Sequence, residues 1–135
     1  MAAAVNENTH DAIRVFPECS ACEVRRQALA HVVRAAPLAR IVCHCLDCQQ
    51  FTRAGFSDDC VFYAKDFRLD EGDGLLFYQA AGSRLRRAKC ATCSRPVYSE
   101  WRLFGFGLRF LPSAYLQGLV ELPSISCEVF CHRRS

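Results

Sequence analysis

Cysteine is the residue that most limits what this chain can become: it occupies 10 of 135 positions, and seven of the ten fall in three tight clusters. The clusters are Cys19-Ser-Ala-Cys22, Cys43-His-Cys-Leu-Asp-Cys48 and Cys90-Ala-Thr-Cys93. A Cys-x-x-Cys turn lets two sulfurs converge on one ion. Zinc takes about four such ligands at tetrahedral angles, with Zn–S near ~2.3 Å. Two pairs therefore close one structural site. The central C-x-C-x-x-C is the odd one, because three sulfurs leave a tetrahedral shell incomplete. Either a fourth protein ligand arrives from elsewhere, or the corner stays open for water or substrate, which is the mark of a catalytic zinc. Counting thus predicts two zinc ions, with four sulfurs for architecture and three for chemistry.

Other uses of the thiols stand beside this one. Disulfides need an oxidising compartment, and Met1 to His10 has neither the basic flank nor the apolar stretch of a secretory signal. The expected setting is the cytoplasm, where clustered cysteines point to metal. One zinc site plus unrelated buried thiols also fits the count, and C-x-C-x-x-C also suits an iron–sulfur cluster. Redox-active Cys-x-x-Cys motifs would sit in a βαβ pattern that is absent here. Cys60 opens an apolar stretch and reads as a small buried hydrophobe. Cys127 and Cys131, near the end, are alternative candidates for completing the second site.

Length and composition allow one domain with a real core. Hydrophobic residues are 51% and charged residues 23%. Residues 1–13 read as a tail and 14–135 as a single zinc-binding domain. No apolar run approaches the ~20 residues of a membrane helix. The formal charge is +3 and the pI about 8.4, no strong case for a nucleic-acid partner. Seven thiolates and two zinc ions would bring that charge to about zero. Strands are predicted at 38–43, 60–64, 66–69, 75–80, 83–89, 96–101, 104–110 and 127–131. Residues 47–53 suit a helical turn, 24–33 fit either a strand or a short helix, and 71–74 and 82–83 are turns. Gly105 and Gly107 mark close packing or a bend. The pattern is a mostly-β domain with few short helices.

The order C-x-x-C, C-H-C-x-D-C-Q, C-x-x-C-x-x-P-V-Y resembles the family of glutathione-dependent formaldehyde-activating enzymes, which also contains centromere protein V. The resemblance runs from about Cys19 to Arg134, most specifically over Val42–Thr52 and Cys90–Tyr98. It implies an Mss4-like antiparallel β-sandwich with zinc knuckles. It implies a structural zinc on Cys19, Cys22, Cys90 and Cys93, and a catalytic zinc on Cys43, Cys45 and Cys48. The chain departs from the family pattern at four places: the first cluster has an extra residue and is followed by Glu23, Arg53 and Ser94 stand where glycine is usual, and Glu128 sits in the last strand.

The activity the resemblance implies is a carbon–sulfur lyase type, joining glutathione to formaldehyde as S-hydroxymethylglutathione. The alternative is a non-enzymatic, zinc-stabilised binding module like centromere protein V. Zinc lowers the pKa of a coordinated thiol and polarises a carbonyl. Three thiolates already outweigh the ion's charge, so thiol activation is the better use. One of Arg53, Arg84, Arg86 or Arg87 would receive a glutathione carboxylate, although the run from Arg84 to Lys89 reads by itself as a solvated strand face. His44, as the middle residue of an extended C-x-C, points away from the sulfurs and takes a structural or surface role. Asp47 caps the following turn.

Overall fold

A computed structural model describes residues 13–15, 31–33, 36–69, 75–103, 105–119 and 121–129. Ten strands form two sheets. β1 (Ile13–Val15), β2 (His31–Val33) and β5 (Phe67–Leu69) make a small antiparallel sheet in the order β1-β2-β5. The large sheet has seven strands: β3 (Ala39–Cys43), β4 (Ser57–Tyr63), β6 (Leu75–Tyr78), β7 (Arg86–Cys90), β8 (Pro96–Leu103), β9 (Phe106–Pro112) and β10 (Cys127–Val129). Their order is β10-β3-β4-β9-β8-β7-β6. Among the described residues there is one α-helix, α1 (Leu46–Thr52), and two short 3-10 turns, Ala64–Asp66 and Ser113–Tyr115.

The mostly-β expectation holds, with one refinement to an all-antiparallel layout: β10 pairs parallel with β3, Cys127 opposite Ile41 and Val129 opposite Cys43. The irregular return over 116–126 brings the chain back along the free edge of β3. Two hydrogen bonds seat it there, Ser126 N–H to the Arg40 carbonyl (2.7 Å) and His44 N–H to the Val129 carbonyl (3.0 Å).

β-branched and aromatic residues fill the strands, as pleated, half-buried surfaces favour. The core gathers Phe62, Phe67, Val97, Tyr98, Leu111 and Leu116 with the thiols Cys60 and Cys90. Phe67 of the small sheet stacks at 5.4 Å on Tyr98 and 6.4 Å on Phe62 of the large one, so the two sheets share that core. Cys60 is fully buried, as expected of a small hydrophobe, and its Sγ meets the Ser113 hydroxyl at 3.3 Å.

Three element readings change. Residues 104–110 are not one strand, because Gly105 at φ +78° turns the β8–β9 hairpin and β9 starts at Phe106. Gly107 does mark close packing, since a Cβ there would stand 3.0 Å from that of Ala64. β4 begins three residues before the apolar run, at Ser57, because its polar first residues pair with β3. Ile13, placed in the tail, begins β1. The turn at 71–74 and most of 24–33 lie outside the described residues.

Candidate metal centre

The end of β3 and the start of α1 build the site. Cys43 is the last residue of β3, paired with Ser57 of β4. Cys45 is the helix N-cap, its Sγ accepting the Cys48 backbone N–H at 3.3 Å. Cys48 lies one turn on, on the same helix face, and is 2% exposed. The strand-to-helix corner therefore converges three sulfurs, all within 4.8 Å of one another. Thiolates on one tetrahedral zinc stand about 3.8 Å apart, from the ~2.3 Å bond. The cluster fits a soft metal ion with little adjustment, and could hold one.

The basic run from Arg84 to Lys89 is solvated only in part: Arg84 and Arg86 are exposed and Arg87 is buried. Arg87 is 1% exposed and ion-paired to Asp47, its Nη2 and Nε lying 2.8 and 3.1 Å from Oδ2. It also donates to the Ser99 hydroxyl (3.0 Å) and to the Cys48 sulfur (3.2 Å), and stacks over Phe51. Arg87 and Ala88 are both buried, Arg87 beneath α1 and Ala88 in the core. Arg86 lies over Phe77 at 3.8 Å and pairs with Glu100. Asp47 is likewise not the helix cap. Cys45 holds that place, and Asp47 faces Arg87 from the first turn.

His44 is structural and not at the surface. It is 5% exposed, with Nε2 at 2.7 Å from Glu128 of β10. Glu128, one of the departures from the family pattern, is the residue that ties β10 to this corner.

The other cysteines divide clearly. Cys90 ends β7, 1% exposed, and a tight turn follows it, with Ser94 N–H on the Cys90 carbonyl and Cys90 N–H on that of Arg95. Cys93 lies in that turn. Cys19, Cys22, Glu23 and Cys131 lie outside the described residues. Cys127 is exposed on β10 and takes no part in the sulfur cluster.

Proton affinities in the cluster are coupled. The Cys48 thiol is pulled down to about 5, first by the hydrogen bond from Cys43, then against burial by Ser57 and Arg87. The same hydrogen bond, with burial, pushes Cys43 up. Burial pushes Cys45 up too.

Two residues of the site escaped the sequence reading. Ser57 is 3% exposed and hydrogen-bonded to Cys48 and to Asp59. Burial raises the Asp59 carboxyl to about 7, with the Cys48 charge adding to the effect. Ser57 has one proton to give. Its hydrogen bond favours the charged form of either acceptor, so Cys48 and Asp59 compete for it. The polar Ser57-Asp58-Asp59 run just ahead of an apolar strand was the available signal.

Two cavities meet at the sulfurs. The larger, about 650 Å3, is formed by Cys43, Cys45, Cys48 and the 80–85 loop, with Arg84 in its lining. The smaller, about 210 Å3, lies on the β4 side and also touches Cys43 and Cys48. Arg53 lines neither. It closes α1 and borders a separate cavity beside Cys93 and Ser94.

A mostly-β scaffold here carries a three-cysteine corner that could hold a metal ion. Residues 14–132 match the glutathione-dependent formaldehyde-activating enzymes, and the chain belongs to that family. The fold is also similar to that of a Rhodobacter sphaeroides protein solved as a structural-genomics target: TM-score 0.61, 17% identity, 87% of this chain and 100% of that one covered. No curated protein matches the chain. Among the described residues no helix is long and apolar enough to cross a membrane.

Proposed function

We propose that the chain is a zinc-dependent carbon–sulfur lyase-type enzyme that joins glutathione, or a related small thiol, to formaldehyde. The observation that carries this reading is the sulfur cluster opening onto a 650 Å3 cavity with a cationic side chain, Arg84, in its wall. Cys43, Cys45 and Cys48 would hold the catalytic zinc. Cys90 and Cys93, in one knuckle, would hold the structural zinc together with Cys19 and Cys22. Bound zinc supplies thiol activation, by stabilising the thiolate of the incoming substrate.

The chain's own residues do the rest. Arg87 fixes Cys48 through its 3.2 Å contact and offsets part of the cluster's negative charge. Asp47 holds the guanidinium in place from α1. Of the four arginines considered for a glutathione carboxylate, Arg87 is consumed by Asp47, Arg86 by Glu100 and Phe77, and Arg53 lies at another cavity. Arg84 is exposed, lines the thiol-side cavity, and takes that role. A charge-assisted contact of this kind is worth about 1.5–3 kcal/mol.

Cobalt substitution tests the reading. Glutathione at millimolar concentration should change the visible absorption of the cobalt protein, and Arg84→Ala should weaken that response about tenfold. An unchanged cobalt spectrum in the unsubstituted chain would reject the enzyme reading.

A further inference from the structure

The reading above uses the larger cavity and leaves the smaller one unexplained. The smaller cavity is walled by Ile41, Leu85, Phe110 and Val129, one residue each from β3, the 80–85 loop, β9 and β10. It reaches the sulfur cluster at Cys43 and Cys48, and Leu85 lines both cavities. Its one carboxyl is that of Asp59, tied to Cys48 through Ser57. A thiol entering from the loop side would meet the sulfurs with this chamber beyond them.

Formaldehyde makes poor use of such a chamber. It is little larger than a water molecule, whose share of liquid volume is about 30 Å3, and it has no hydrocarbon to bury. A cavity of about 150 Å3 lined by aliphatic and aromatic side chains holds a benzene ring. The chamber here, at about 210 Å3, has more room than that, with Ile41, Leu85, Phe110 and Val129 as the apolar half of its wall and Cys43, Cys48, Ser57 and Asp59 as the other half. Each methylene group taken from water into such a wall raises affinity about fourfold.

We infer that this chamber is the carbonyl subsite, and that it takes an aldehyde bearing a small aliphatic or aromatic substituent, with the oxygen toward Asp59 and the carbonyl carbon toward the sulfurs. This rests on the thiol–aldehyde reading and puts a larger aldehyde in the place of formaldehyde. The chemistry balances without an oxidant or reductant: the substrate sulfur forms a bond to the carbonyl carbon, the C=O π bond opens, and the thiol proton ends on the oxygen. The Asp59 carboxyl, in the wall of the chamber, is the polar group placed to meet that oxygen.

The experiment has a binding arm and a turnover arm. Benzyl alcohol resembles the product alcohol and cannot react. It should bind the metal-free protein saturably by ligand-observed NMR, about tenfold more weakly to Val129→Trp, to Leu85→Trp and to Asp59→Asn. With the zinc-loaded protein and glutathione, butanal and benzaldehyde should exceed formaldehyde in kcat/KM by at least tenfold. Either tryptophan variant should cut that ratio by a similar factor. A preference for formaldehyde, with no saturable benzyl alcohol binding, overturns the inference while a cobalt response to glutathione preserves the reading beneath it. Loss of the cobalt response as well removes both.

Discussion

At the scale of single residues, two backbone positions record the fold's demands against the side chains present. Arg53 has φ +59° and Ser94 φ +67°, the two non-glycine residues with positive φ among those described. They are also the two positions where the family resemblance implies glycine. The left-handed conformation costs a side-chain-bearing residue about 1–2 kcal/mol, part of which glycine gives back through its more flexible unfolded chain. Arg53→Gly and Ser94→Gly should therefore each raise stability by up to about 1 kcal/mol, seen as a higher urea midpoint with an unchanged slope. A lower midpoint in both would show that the arginine and serine side chains matter more than their backbone strain. Both turns are held without glycine by backbone hydrogen bonds, Arg53 N–H to the Gln49 carbonyl and Ser94 N–H to that of Cys90.

At the scale of elements, the sulfur corner depends on docking α1 against β7. The helix is only two turns long, too short to persist alone. Its buried anchors are Cys48 and Phe51, and both touch Arg87. Arg87→Met would leave the largely covered Asp47 carboxylate, 16% exposed, opposite an apolar side chain. Breaking one partner of a buried pair costs about 3–5 kcal/mol, whereas removing both is far milder. Chemical denaturation should show a loss of about 3 kcal/mol or more in Arg87→Met and recovery of much of it in the double variant with Asp47→Asn. Equal losses in the single and double variants would mean that Arg87 acts by packing on Phe51 alone. β10 is secured on the other side of the corner by the His44–Glu128 pair, so Glu128 has a job in the fold wherever substrate binds.

At the scale of the whole molecule, two neighbouring carboxyls give opposite pH dependences. Asp58 is held below the usual carboxylate range by hydrogen bonds from Arg40, at 2.9 and 2.7 Å, and from Ser113. Its contribution is present above about pH 4, the unfolded value, and is lost as pH falls through its lower folded value. Asp59 is raised to about 7, so the folded protein binds a proton there that the unfolded chain has already released. Its contribution is full below about pH 4 and declines as pH climbs through 7. Asparagine at 59 removes this decline. Asp59→Asn should thus gain stability relative to the unsubstituted chain at pH 8 compared with pH 5. The same difference at both pH values would place the Asp59 carboxyl in water.

What the sequence determined by itself was local. Strand segments around 39–43, 75–78 and 96–101 followed from β-branched and aromatic runs, and the sulfur trio followed from spacing alone, because a C-x-C-x-x-C crossing a strand-to-helix corner needs no distant partner to converge. The tertiary structure decided what long-range pairing controls. The antiparallel β3–β4 register put Ser57 opposite Cys43 and carried Asp59 into the wall of the apolar chamber. Docking of α1 against β7 buried Arg87, 40 residues from Asp47, where composition had suggested a wet surface. The parallel return of β10 buried His44 against Glu128, 84 residues away. A charged residue's exposure is set by which strand lies beside it, and strand neighbours far apart in the chain are chosen by the packed core.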